Sequence, residues 1–217
     1  MGKAPTGGRL EGSARPALPS CMETSRMDLE TLVAFLVENA GPWISEQRDR
    51  HFEASESLPD TTRAALRGYF EPETLDRARI GRASLIENPP FYDQFEAAGQ
   101  AIPLDFSVWA GITFGDVILL SDSGTSGSMP HSVVFHEMVH LVQYGILGID
   151  EFARRYVTAL AWNRFQYMTI PLEMTAFDLQ DRFERSDGRP FPAEAEIRRR
   201  LDMASHTGTS KNRFTKG

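Results

Sequence analysis

Residues 136–140 read His-Glu-Met-Val-His, and no other segment narrows the fold so far. Two histidines four residues apart share one face when the backbone between them is helical, where they stand one turn apart. Both imidazoles then reach a single metal ion. Glu137, about 100° further round the helix, is placed to take a proton from a water on that ion. Neutral imidazoles at this spacing suit zinc, and a zinc site with open coordination is hydrolytic. With five histidines in 217 residues, a chance occurrence of such a pentad is on the order of one in a hundred.

The surrounding residues predict the helix that this geometry needs. Ser128 suits an N-cap, Pro130 a first turn and Gly145 a helix end. On a helical wheel Val134, Phe135, Met138, Val139, Leu141 and Val142 fill one arc. Val133, His136, Glu137, His140 and Tyr144 fill the opposite one. His131 faces the apolar arc and reads as a helix-start residue rather than a ligand.

A third protein ligand is required. The one cysteine, Cys21, lies in a polar N-terminal stretch, and the one downstream histidine, His206, lies in a polar C-terminal one. That leaves the carboxylates Asp150, Glu151, Glu173, Asp178, Asp181, Glu184 and Asp187. Asp150 and Glu151 read as an N-cap and a first-turn residue. Residues 170–185 read as a helix with Pro171 at its start and Leu172, Ala176, Leu179 and Phe183 as its buried stripe. Glu173 borders that stripe, and Ala176 one turn on permits close packing, whereas Asp178 and Asp181 point away. Glu173 is therefore the expected ligand.

His136-Glu-Met-Val-His140 followed by Glu173-Met-Thr-Ala176 resembles the gluzincin pattern, HExxH and then ExxA on a second, glutamate helix. The stretch is also similar to small bacterial proteins described as metallopeptidases, which share HExxHxxQY and a later Pro-Leu-Glu. Here the likeness covers Val134 to Phe183, about a quarter of the chain. The resemblance implies a zincin-like fold with one Zn2+ held by His136, His140 and Glu173, and Glu137 as general base. Two departures stand out. Thermolysin-like enzymes carry an acid four residues after the third ligand, where this chain has Phe177, and a downstream histidine that only His206 can match. The metzincin continuation HxxGxxH is missing, since positions 143 and 146 are Gln and Ile.

The expected architecture is α+β and mostly helical. A small sheet with strands near 105–110 and 112–120 stands beside the motif helix and the glutamate helix. The organisation reads as a disordered tail over 1–24, a helical region over 25–103, the zincin-like core over 104–204 and a polar tail over 205–217. Further helices are expected near 27–39, closed by Gly41-Pro42, and near 43–54, 60–70, 72–82, 90–99, 150–167 and 193–203. The strand over 112–120 would hold an extended peptide if it lies at a sheet edge.

Composition bounds the function. A net charge of −7 disfavours nucleic acid and anionic membrane surfaces, which need Lys/Arg contacts. One cysteine excludes an intrachain disulfide framework. No apolar run approaches a membrane span, and no secretory signal opens the chain, so the cytoplasm is the default expectation. The expected partner is a peptide or protein substrate. The expected reaction is hydrolysis, with Glu137 moving the proton. An oxyanion donor is sought among Tyr144, Tyr156 and Tyr167, Tyr156 ahead because it falls in the shared stretch. Rival readings are a zincin-fold binding or regulatory module without turnover, a toxin-like protease with a single target, and a helical interaction domain whose pentad is incidental.

Overall fold

The computed structural model describes residues 29–97, 103–122 and 130–210, with backbone alone at 96 and 205–210. The tail expected over 1–24, Cys21 and Ser128 lie outside them. The chain is mostly helical around a four-stranded mixed sheet, which is the α+β class expected.

Helix α1 (Leu29–Phe52) runs straight through Gly41-Pro42, the pair expected to end it. Proline removes one ladder bond and disfavours a helical residue before it, partly through that residue's Cβ. Gly41 has no Cβ, and one placed there would sit 2.8 Å from Asp150 Oδ1 on α6 (Ile149–Trp162). The pair thus marks where α1 crosses α6 closely, and burial of Leu36, Trp43 and Ile44 outweighs the missing bond.

Strand β1 (Glu56–Ser57) leads into α2 (Asp60–Leu66) and α3 (Pro72–Arg77), and then β2 (Arg79–Ala83). The helix expected over 72–82 therefore stops at Arg77. Arg-Ile-Gly-Arg-Ala is helix-tolerant by composition, but pairing decides its state: β2 lies antiparallel to β1 and parallel to residues 117–121. The segment 90–97 forms a 3₁₀ turn and α4 (Asp93–Ala97).

The strand expected near 105–110 is instead a 3₁₀ turn over Phe106–Val108. Asp105 caps it, accepting from the Ser107 backbone N–H at 3.0 Å. The single strand expected over 112–120 is broken into a hairpin, β3 (Gly111–Phe114) and β4 (Val117–Ser121). Gly115, at φ +66°, is the first of two linking residues, the place a type II′ turn gives to glycine. Arg48 of α1 clamps this turn through two bonds to Asp116, of 2.8 and 3.0 Å. The strand order is β1-β2-β4-β3, so β4 is interior and β3 is an edge.

Helix α5 (His131–Leu147) follows, with Pro130 at its N-cap position rather than in its first turn. It does not stop at Gly145, which lies against Arg77. It ends at Gly148, whose φ of +75° and N–H bond to Tyr144 O (2.8 Å) close the last turn. Helices α6 (Ile149–Trp162), α7 (Pro171–Arg185) and α8 (Ala193–Ser210) complete the fold. Helix α6 is shorter than expected because Arg164 and Phe165 take left-handed φ values of 54° and 59°. Helix α8 is longer than expected.

Helix α5 is the central element, packed by α7, α8, α6, β3 and β4. Its Phe135 is fully buried, stacked on Phe183 at 4.5 Å and set edge-on to Tyr69 at 5.6 Å. Phe135→Ala is expected to cost about 3–5 kcal/mol, read as a drop in the denaturant midpoint at unchanged slope. No single described helix is long and apolar enough to cross a membrane.

Candidate metal centre

The helical spacing of α5 brings His136 Nε2 within 3.2 Å of His140 Nε2. Glu173, from the first turn of α7, places Oε2 3.2 Å from the former and 3.3 Å from the latter. All three side chains are buried. A tetrahedral ion with bonds of about 2.0–2.1 Å sets its ligand atoms about 3.3 Å apart, which is the edge of this triangle. Among the described residues these three are the one group of His, Cys, Asp or Glu arranged to hold a metal ion.

The far nitrogen of each ring explains why Nε2 is free to bind. His136 Nδ1 lies 2.9 Å from Gln180 Oε1, and His140 Nδ1 lies 2.9 Å from Gln143 Oε1. The amides face this way for a reason: Gln143 Nε2 donates to Leu172 O (3.1 Å) and Gln180 Nε2 to Glu184 Oε1 (3.2 Å). An amide oxygen only accepts, so each Nδ1 carries a proton and Nε2 is the nitrogen each ring offers to a metal.

Glu173 is fixed by two phenols. Tyr156 donates to Oε1 at 2.8 Å and Tyr167 to Oε2 at 2.7 Å. The left-handed turn at Arg164-Phe165 folds the chain back so that Tyr167 can reach it. Burial raises the pKa of both phenols, and the Glu173 charge raises them further, so they stay protonated donors.

Without metal, burial opposes ionisation of the cluster, but mutual attraction wins. It holds Glu173 well below the usual carboxylate range and lifts His140 to about 9. The depressed Glu173 adds stability above its ordinary 4.5 that is lost as pH falls. The raised His140 adds stability that is complete below 6.5 and lost as pH rises through about 9. Metal-free protein is therefore expected to melt earlier as pH is raised from 6.5 past 9. Zinc-loaded protein, with both imidazoles neutral, lacks this alkaline loss. Melting curves in chelator and in zinc check it.

Glu137 is also buried, and its Oε2 accepts from Thr113 Oγ1 at 2.8 Å. A Cβ at Gly111 would lie 3.2 Å from Glu137 Oε1, so the edge strand touches this carboxylate through a residue without a side chain. Glu137, His140 and Glu173 line one cleft.

The other carboxylates weighed from sequence are elsewhere. Asp150 abuts Gly41, Glu151 pairs with Arg154 and Arg155, Asp178 with Arg200, and Asp181 with Arg185. Glu184 accepts from Gln180, and Asp187 sits in a left-handed turn. His131 is exposed at the start of α5, and His206 falls where only backbone is described. Phe177 packs its ring on His136 at 4.6 Å. Sequence reasoning gave no role to Thr113, Gln143 or Gln180. Gln143 stands three residues after His140, and Gln180 seven after Glu173, both spacings that keep a helical face. Comparison with family models, with curated proteins and with solved structures returns no match for this chain.

Proposed function

We propose that this chain is a zinc-dependent hydrolase of zincin-like architecture, a metallopeptidase that cleaves peptide bonds. The observation that carries the reading is the buried triangle of His136 Nε2, His140 Nε2 and Glu173 Oε2, with edges of 3.2–3.3 Å, opening beside Glu137 into one cleft. Two oriented imidazoles and one carboxylate suit zinc, which when bound polarises a carbonyl and lowers the pKa of a coordinated water to about 7.

The chain's own residues supply the rest. Glu137 takes the proton of the attacking water and returns it to the leaving amine. Thr113 orients that carboxylate. Gln143 and Gln180 hold the imidazole tautomers, and Tyr156 and Tyr167 hold Glu173. Tyr156 can also donate to a developing oxyanion, by exchanging its bond to Glu173 for one to substrate.

A peptide substrate is favoured by β3. The closing pair Phe114–Val117 and the bond from Ser121 N to Ala110 O (2.9 Å) set the hydrogen-bonding phase of the hairpin. In that phase Ile112 and Phe114 face β4, so the backbone groups of Gly111 and Thr113 face the open edge. An extended chain pairing there lies against Glu137.

The test is cleavage of a quenched peptide library by zinc-loaded protein, with chelator as control and products identified by mass. Tyr156→Phe divides its two roles. As an orienting residue it is expected to weaken zinc affinity about 10–100-fold. As a donor it lowers kcat at full zinc occupancy. Unchanged zinc affinity and unchanged kcat would remove Tyr156 from the site.

A further inference from the structure

The cleft that contains Glu137, His140 and Glu173 is walled in part by the N-terminal half of the chain. Leu36 and Trp43 of α1, Phe91, Leu104 and Trp109 from residues 89–92 and 103–109, and Leu160 of α6 all line it. Trp43 stacks on Phe106 at 5.4 Å and meets Phe114 edge-on at 5.3 Å, so this wall is braced by rings rather than loosely filled. Its lining contains no Lys, Arg or Asp, and its acidic and histidine side chains are those of the site itself. Apolar side chains are also exposed next in sequence to the lining. Trp109 and Tyr167 touch at 4.9 Å, and their chain neighbours Val108 and Met168 are 77% and 59% exposed.

A charged group entering this wall loses its water and finds no counter-charge beyond the site, at a cost that excludes it. A large apolar group loses nothing comparable and gains by leaving water. We propose that α1 together with residues 89–92 and 103–109 forms the selectivity wall of the site, and that it accepts an aromatic or long aliphatic side chain adjoining the scissile bond. This rests on the peptidase reading for its substrate, and it assigns the N-terminal helical half a function as the specificity element.

Two of the three tryptophans, Trp43 and Trp109, line the cleft, so their emission reports occupancy once the exposed Trp162 is replaced by Phe. The probes are capped tripeptides Ala-X-Ala with X as Phe, Leu, Ala, Lys or Asp. Binding is measured on metal-free, full-length Trp162→Phe and cleavage on the zinc-loaded chain. Phe and Leu are expected to bind at least about tenfold tighter than Ala, with Lys and Asp not detected. Ala40→Phe narrows the cleft and is expected to reverse the preference toward Ala. Leu36→Ala widens it and is expected to favour Phe over Leu further, melting curves confirming that each variant folds. Cleavage with equal rates for all five residues overturns the wall while leaving the peptidase reading intact. Apolar-selective binding with no cleavage supports the wall and contradicts peptidase activity. The absence of any side-chain-dependent binding overturns the wall.

Discussion

Glu137→Gln is expected to keep its zinc and lose cleavage by about 10²–10⁴-fold in kcat. The amide is the same size as the carboxylate, and its oxygen can still accept from Thr113 Oγ1, which lies 2.8 Å from Glu137 Oε2 in the native site. It has no basic site for the proton of the attacking water. The ligand triangle is built from other residues, so metal content and melting temperature are expected to stay near wild type. Steady-state cleavage of one identified peptide, alongside zinc analysis of the same preparation, reads both quantities. A variant that binds zinc and cleaves as well as wild type would show that Glu137 is not the base.

Glu173→Ala is expected to act at the preceding step. It removes one of three donors from the triangle, and zinc affinity is expected to fall by more than about 100-fold, beyond the effect of losing a group that only orients a ligand. It also leaves two half-buried phenols, Tyr156 and Tyr167, without the acceptor they share at 2.8 and 2.7 Å. Each donor left unsatisfied costs about 1–3 kcal/mol, so the metal-free variant is expected to melt earlier too. Glu173→Gln separates the two effects. Its oxygen keeps an acceptor for one phenol, but a neutral amide is a poor zinc ligand, so stability recovers in part and metal affinity does not. Competition with a zinc-responsive dye and melting in chelator provide the readings.

The His-His-Glu triangle was legible in the sequence because its parts obey helical arithmetic. His136 and His140 are one turn apart, and Glu173 begins a helix on the edge of its buried stripe. The residues that orient the triangle were less legible. Gln143 and Gln180 act through hydrogen bonds across α5 and α7, a contact between distant segments. Thr113 reaches Glu137 from a strand 24 positions earlier. The fold departs from sequence expectation where packing overrides local preference. Gly41-Pro42 reads as a stop but forms a helix crossing, and Arg79–Ala83 reads as helix but is held by strands on both sides. The edge position of β3 depends on which strand takes which neighbour, and no local pattern encodes that order.

Zinc stoichiometry of the purified wild-type chain tests the central claim most directly. After equilibrium dialysis against buffered zinc and removal of loosely held metal, elemental analysis is expected to give one zinc per chain for wild type. His136→Ala and His140→Ala, treated identically, are expected to hold almost none. A folded wild-type chain that retains no zinc, or that retains it equally in both histidine variants, would contradict the account.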